Sequence, residues 1–465
     1  MNFVIVGVFF ILMIVIGLVS MHKIRNPASY FVADRNGSSA TITGSLLATI
    51  VGGSGTIGLA GLGYSKGLVG AWWMLVGAAG MLVLSVWLAK KVRDYAVYTL
   101  PEILECQYGG SSIKVIASVV IATAWLGIIA GQIIAAGKIL SVLWPGQLEA
   151  LMITATSVFI VYTVLGGQYS ILRTDLIQSV IIIVGLVVCV TVGVSTAGGI
   201  GSLARQLPET YFAFPVSPSF GWVDLTTFLL FVGAAYLVGP DIYSRIFCAK
   251  NSEIARKSVM TAALIMIPLA FFVTVTGMTA RAILPGISPE SALPALVMHA
   301  VPVGISGLII AALLAAVMSS ADTCLLTTST IISADIILPL FRGRIGEKKL
   351  LFMSRVGVVV IGMVSLLIAL KLKGIIASLL LGYTVYTGGL VVPVLMGFYA
   401  KRLKLNAYGV IAAIIGGGGM GLFCKLTGYG NLALLTLPVS AFLLFLGSYA
   451  ARHVKCKTPV TLSET

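Results

Sequence analysis

The chain has 465 residues, 58% of them hydrophobic and 10% charged, with a net charge of +15. Soluble domains carry about a quarter of their residues as charges, so an ordinary soluble fold is excluded. Six cysteines without metal-type spacing and three scattered histidines leave no pattern for a metal centre or a disulfide framework.

Apolar runs recur from end to end. In chain order, spans are expected at roughly 3–20, 41–64, 68–89, 115–142, 149–165, 175–197, 223–244, 258–280, 296–335, 351–370, 374–398, 407–424 and 431–451, against the ~20 apolar residues that cross a bilayer. The expectation is an all-α polytopic membrane protein of about 13 transmembrane helices, folded as one unit. The first run precedes its positive residues, Lys23 and Arg25, and lacks a small-residue cleavage site. It is therefore expected to stay as an anchor and not to be a cleaved signal peptide.

Alternate loops are basic. Lys23, Arg25 and Arg35, then Lys90, Lys91, Arg93 and Lys114, then Arg173, fall on one side. So do Arg245, Lys250, Arg256 and Lys257, then Arg342, Arg344, Lys348 and Lys349, then Lys401, Arg402, Lys404, Arg452, Lys455 and Lys457. Lys66, Arg205, Arg281, Lys371, Lys373 and Lys425 fall on the other. The positive-inside rule then puts the N-terminus outside and the C-terminus in the cytoplasm, in an inner or plasma membrane. The excess charge marks topology and implies no nucleic-acid partner.

The second span carries Ile50-Val-Gly-Gly-Ser-Gly-Thr-Ile-Gly58, and the seventh carries Gly233 and then Gly239-Pro240-Asp241. A continuous helix loses about 1 kcal/mol per glycine, and proline removes a helix donor. Both spans are expected to be broken. Broken spans at matching places in two halves point to the midplane site of an inverted-repeat transporter. The division expected is a single transporter domain over 1–465. It comprises an extra helix in 1–29, a first repeat in 41–200, a second in 223–400, and extra helices with a short tail in 405–465.

The ninth span places Ala316, Ser319, Ser320 and Thr323 at i, i+3, i+4 and i+7, on one helix face. Buried hydroxyls need partners, and such an oxygen-rich stripe suits half of a site for a dehydrated cation. The bland alternative is that each hydroxyl bonds its own i−4 carbonyl. Asp175 lies near one end of the sixth span, where a carboxylate is interfacial, paired with Arg173 or solvated, or else marks a functional site. Asp335 is expected to pair with the basic loop that follows it, and Asp224 to cap a helix start.

Four segments carry a resemblance. They are Tyr30-Phe-Val-Ala-Asp-Arg35 with Gly52-Gly53, Gly58 and Tyr64-Ser-Lys-Gly67; Leu165-Gly-Gly-Gln through Asp175 to Gln178; Gly239-Pro-Asp-Ile-Tyr-Ser-Arg245 through Asn251; and Ala315-Ala-Val-Met-Ser-Ser-Ala-Asp322 with Ser333-Ala-Asp335. In order and spacing the chain resembles the sodium:solute symporter family, which has an inverted five-plus-five helix core. The Ser-Ser-Ala-Asp run is similar to the choline-transporter branch. The resemblance implies sodium as the coupling ion, held by the Ser319 and Ser320 side chains and the carbonyls of Ala316, Ala48 and Val51. It implies that Asp175 supports sodium binding or inward release, and that Asp322 and Thr323 occupy positions used elsewhere for a second ion. Asp322 either strengthens such a site, carries a proton or makes a packing bond. Ile50, Gly52, Gly55, Gln132 and Asp241 match positions lining the solute site. Two aromatic positions of the choline branch's cage are filled here by Ile50 and Asp241. Asp241 either attracts a cationic amine or gates the inner mouth. Trp72, Trp73 and Trp125 are expected to pack or to anchor at the interface.

The function implied is sodium-coupled symport of a small organic solute, with the lipid bilayer as surroundings. The alternatives are a proton-coupled or sodium-leak transporter of the same fold, or a membrane sensor on that scaffold. No G-x-x-x-x-G-K-[ST] loop supplies ATP, and no nucleophile cluster near an interface suggests an enzyme.

Overall fold

Inside a bilayer each backbone N–H and C=O must find a partner within the chain, and only helices do so segment by segment. The computed structural model obeys this, describing residues 1–341, 344–372, 374–427 and 434–456 as helices joined by short turns. In chain order the main helices are α1 (Asn2–Met21), α2 (Ser39–Ile50), α3 (Leu59–Lys66), α4 (Trp72–Val83), α5 (Ser111–Ser141) and α6 (Leu148–Thr196). There follow α7 (Ala234–Val238), α8 (Pro240–Cys248), α9 (Ser252–Ile283), α10 (Ile305–Ile331), α11 (Glu347–Lys371), α12 (Ile375–Tyr386), α13 (Ala407–Thr427) and α14 (Thr436–Cys456).

Among the described residues, ten helical stretches are long and apolar enough to cross a membrane. The expected thirteen are not reached on that measure. That measure joins the expected spans 149–165 and 175–197 across the kink at Gly167, and takes residues 54–94 as one stretch across Gly67, whose φ is 79°. The expected span 431–451 begins outside the described residues and is represented by α14. Arg342, Lys373 and Lys457, and the side chains of Lys425, Lys455 and Cys456, also lie outside them.

The centre of the molecule is α10. In its most apolar window 94% of residues are buried, against 22% in α1. It packs on α1, α2, α5, α6 and α11. Because α10 faces protein on all sides, its hydroxyls and carboxylate meet other helices and not lipid.

Two of the sequence motifs meet at a kink. Gly167 adopts φ 51°, ψ −160° inside α6, a conformation open to glycine. A Cβ there would also collide with the ring of Tyr30. Gly233, expected to break its span, does not: it stays helical and lets the backbone approach Val76 and Gly80. Close glycine contacts of this kind are how membrane helices pack.

Three of the basic segments meet at one end. Gly37 N donates to the Cys248 carbonyl (2.9 Å), Arg93 Nε to the Ala249 carbonyl (2.6 Å), and Lys90 pairs with Glu253 (2.5 Å). Arg35 donates to the Ala96 carbonyl (2.6 Å). Asp224 accepts from Gly221 N at 2.8 Å, the helix-start role expected of it. Asp335 differs from expectation: it is fully buried and accepts from Ser118 at 3.3 Å, making no ion pair with the described residues of the basic loop.

Candidate functional site

The site grows from the first break. Helix α2 stops at Ile50 and helical structure resumes at Ser54, leaving Val51, Gly52 and Gly53 between. In an unbroken helix the Gly53 N–H would close on the Thr49 carbonyl. Here it donates to Gln132 Oε1 on α5 (2.9 Å), and the Thr49 carbonyl accepts the Ser320 hydroxyl instead. Ala48 precedes Thr49 on the chain and Val51 lies two residues after it. Glycine is required at 52, since a Cβ there would strike Ser320 Oγ.

Helix α10 supplies the other wall, and its hydroxyls divide into two kinds. Thr323, Thr328 and Thr330 bond their own i−4 carbonyls. Ser319 and Ser320 do not. Ser319 Oγ donates to Asp175 Oδ1 at 2.6 Å, and Ser320 reaches across to α2. Ala316, one turn before Ser320, is fully buried on the same helix. Asp322 accepts from Thr163 Oγ1 of α6 at 2.9 Å.

Asp175 is not interfacial. It is 1% exposed, and Arg173 turns away to Tyr169. Its partner is Arg245, which the charge pattern assigned to a basic loop. The structure corrects that assignment: Arg245 is 0% exposed and lies on α8 beside α2 and α10. Its guanidinium reaches Asp175 Oδ2 (3.3 Å), Ser45 Oγ (3.1 Å), Thr49 Oγ1 (3.1 Å), Ser244 Oγ (3.0 Å) and Thr323 Oγ1. Ser45 also donates to Asp175 Oδ2 at 2.5 Å. A guanidinium buried with this many acceptors is held in one orientation. The one sequence signal for it was its place on a turn of helix directly after Gly-Pro-Asp.

The second break is at Gly239, which is extended (φ −59°, ψ 126°) between α7 and α8. Pro240 opens α8, and Asp241 falls in its first turn. Between the two breaks lies a cavity of about 30 Å³, room for a water or two. Ile50, Gln132 and Asp241 line it, joined by Trp125, Tyr236 and Tyr383. Gly52 and Gly55 stand behind the lining, Gly52 against Ser320 and Gly55 against the Ile50 carbonyl and Met74.

The tryptophans part company. Trp72 stacks on Phe214 and donates to the Pro215 carbonyl (2.8 Å), while Trp73 packs edge-on against Phe228. Trp125, expected to pack or anchor, is 1% exposed and faces the cavity, its ring edge-on to Tyr386 at 4.8 Å. Tyr236 and Tyr383 were not singled out in the sequence, where nothing marked them apart from other membrane tyrosines.

The chain is 29% identical over 404 residues to the sodium/glucose cotransporter 4 of Danio rerio, covering 76% of this chain and 60% of that protein. It is 25% identical to the sodium/myo-inositol cotransporter of Bos taurus, covering 78% and 57%. The chain thus spans about three fifths of the length of these relatives. Among solved structures it matches a substrate-bound, outward-open Na⁺-coupled sialic acid symporter with a TM-score of 0.82 and 19% identity, covering 97% of this chain and 98% of that one. It also matches a nucleobase-cation-symport-1 family transporter in a closed conformation, with a TM-score of 0.62 and 14% identity, covering 95% and 98%. At these identities the structural likeness is one of fold. A family model spans residues 30–417, taking in both broken helices, Asp175, Arg245 and the α10 serines, and the chain belongs to the sodium:solute symporter family.

Proposed function

We propose that this chain couples sodium to the uptake of a small organic solute by alternating access. The observation that carries the reading is the pair Ser319 and Ser320. Adjacent hydroxyls in the most buried helix point away from their own carbonyls, toward a carboxylate and toward the broken end of α2. Unwound main chain facing a second helix is where transporters of this type place their ions.

In this reading sodium lies between α2 and α10, held by the Ser319 and Ser320 hydroxyls and the carbonyls of Ala316, Ala48 and Val51. Binding exchanges two protein hydrogen bonds, Ser320 to Thr49 and Ser319 to Asp175, for bonds to the ion. Asp175 then takes part in binding and release by competing with sodium for Ser319. Asp322 and Thr323 complete the polar surroundings one turn further along. The solute occupies the cavity between the breaks, which must widen to receive it, since pockets for drug-sized ligands hold roughly 300–1,000 Å³.

Residues 41–200 and 223–400 form the two inverted repeats, with 1–29 and 405–465 as additions. Rocking of one repeat against the other exposes the site alternately to each side. The face that gathers Arg35, Arg93, Lys90 and Lys250 is cytoplasmic, which places the N-terminus outside.

The test is uptake into proteoliposomes under an inward sodium gradient. Replacing Ser319→Ala together with Ser320→Ala is expected to raise the sodium concentration for half-maximal uptake tenfold or more, with folded yield retained. An unchanged sodium dependence would remove the two serines from the ion site.

A further inference from the structure

We infer that the solute is a small organic cation, an amine or quaternary ammonium, whose positive head lies between Asp241 and the rings of Trp125, Tyr236 and Tyr383. This rests on the symport reading above and names the substrate class of that site.

The first observation is a carboxylate without a counter-ion. Asp241 lines the cavity and makes no salt bridge among the described residues. The arginine on the same helix, Arg245, lies one turn away and is bound to Asp175, Ser45, Thr49 and Thr323. It is already committed. A carboxylate at membrane depth marks a functional site, and no Lys, Arg or His lines this cavity to pair with it.

The second observation is the composition of the walls. Three aromatic side chains come from three different segments, Trp125 from α5, Tyr236 from α7 and Tyr383 from α12. The ring quadrupole attracts ammonium groups, most strongly where water is excluded. A neutral polyol would need a ring of hydrogen-bond partners instead. Three of the polar groups here are already engaged: Gln132 Oε1 with Gly53 N, Ser320 with the Thr49 carbonyl, and Thr49 Oγ1 with Arg245. An organic anion would meet Asp241 with no basic group to offset it.

The experiment uses the purified full chain in proteoliposomes. Radiolabelled choline and ethanolamine are the cations, proline the zwitterion, myo-inositol the neutral polyol and pyruvate the anion. Sodium-driven accumulation of at least one cation, inhibited by the other and not by myo-inositol or pyruvate, is the expected result. Asp241→Asn is expected to lower cation uptake at least tenfold while sodium still raises the thermal stability of the purified protein. If that variant does not fold, Tyr383→Leu is expected to depress cation uptake and Tyr383→Phe to restore it. Sodium-driven uptake of proline, myo-inositol or pyruvate with neither cation transported would overturn the cation assignment and leave symport standing. So would cation uptake indifferent to Asp241→Asn or, should that variant not fold, to Tyr383→Leu. Cation uptake indifferent to sodium would do the reverse. Failure of all five probes to move would count against both.

Discussion

The pairing of Arg245 with Asp175 makes a quantitative prediction. At 3.3 Å, two unit charges in an effective dielectric of about 20 attract by ~5 kcal/mol before desolvation is counted. Removing one member of a buried pair costs about 3–5 kcal/mol, because the other charge is left without compensation. Both groups keep hydroxyl partners when the other is lost: Asp175 retains Ser45 and Ser319, and Arg245 retains Ser45, Thr49, Ser244 and Thr323. Each single variant, Arg245→Gln and Asp175→Asn, is therefore placed at the low end, near 3 kcal/mol. The double variant leaves no orphaned charge and should lose about 3–4 kcal/mol instead of ~6, a coupling of about 2–3 kcal/mol. Reversible unfolding in mixed micelles titrated with SDS, followed by helix content, measures all four corners of the cycle. If the double loss equals the sum of the singles to within ~0.5 kcal/mol, the two charges do not act on each other and the geometry assigned to them is wrong.

Two further outcomes follow from glycines that hold backbones together. A Cβ at Gly53 would lie 2.5 Å from Ala135 Cβ and 2.9 Å from Gln132 Oε1, so Gly53→Ala is expected to dislodge Gln132, weaken apparent sodium affinity several-fold and cost about 1–3 kcal/mol. Sodium-dependent uptake with parental affinity would show that the Gly53–Gln132 bond does not shape the ion site. Gly277 on α9 has no room for a Cβ against the Ala60 carbonyl, whereas Gly7 on α1 has nothing within 4 Å. Gly277→Ala should lower folded yield in detergent, and Gly7→Ala should leave it unchanged or slightly raised, since alanine is the better helix former. Equal yields for the two variants would refute the close packing of α9 on α3.

What could be seen in the sequence was local. Gly52-Gly53 and Gly239-Pro240 announce breaks because glycine and proline disfavour a helix wherever they stand, and the structure breaks at both places. The stripe of Ser319, Ser320 and Thr323 follows from helix periodicity alone. Gly233 shows the limit of that logic: the same residue type that breaks a helix also lets two helices touch, and only the neighbour, Val76, decides which. Trp125 packs as expected, but its partner Tyr386 lies more than two hundred residues away, and its place on the cavity wall was not visible locally.

Arg245 was hidden more deeply. Its neighbours Lys250, Arg256 and Lys257 made it one more positive residue of a loop, and the positive-inside rule counts charges without asking which turn inward. Its partners lie 70 positions away at Asp175, 78 at Thr323 and 200 at Ser45, beyond the reach of any local pattern. A physical demand for it was nonetheless present. An intramembrane carboxylate at 175 calls for a partner, for which the sequence offered Arg173 and the family resemblance a transported ion. The fold offers a different, permanent one. Asp175 gives Oδ2 to Arg245 and Ser45 and Oδ1 to Ser319, so one oxygen is anchored to fixed charge while the other faces the helix proposed to hold sodium. Charge at Arg245 is thus felt at Ser319 through a single side chain, and a carboxylate anchored on one side can exchange partners on the other without becoming a bare buried anion.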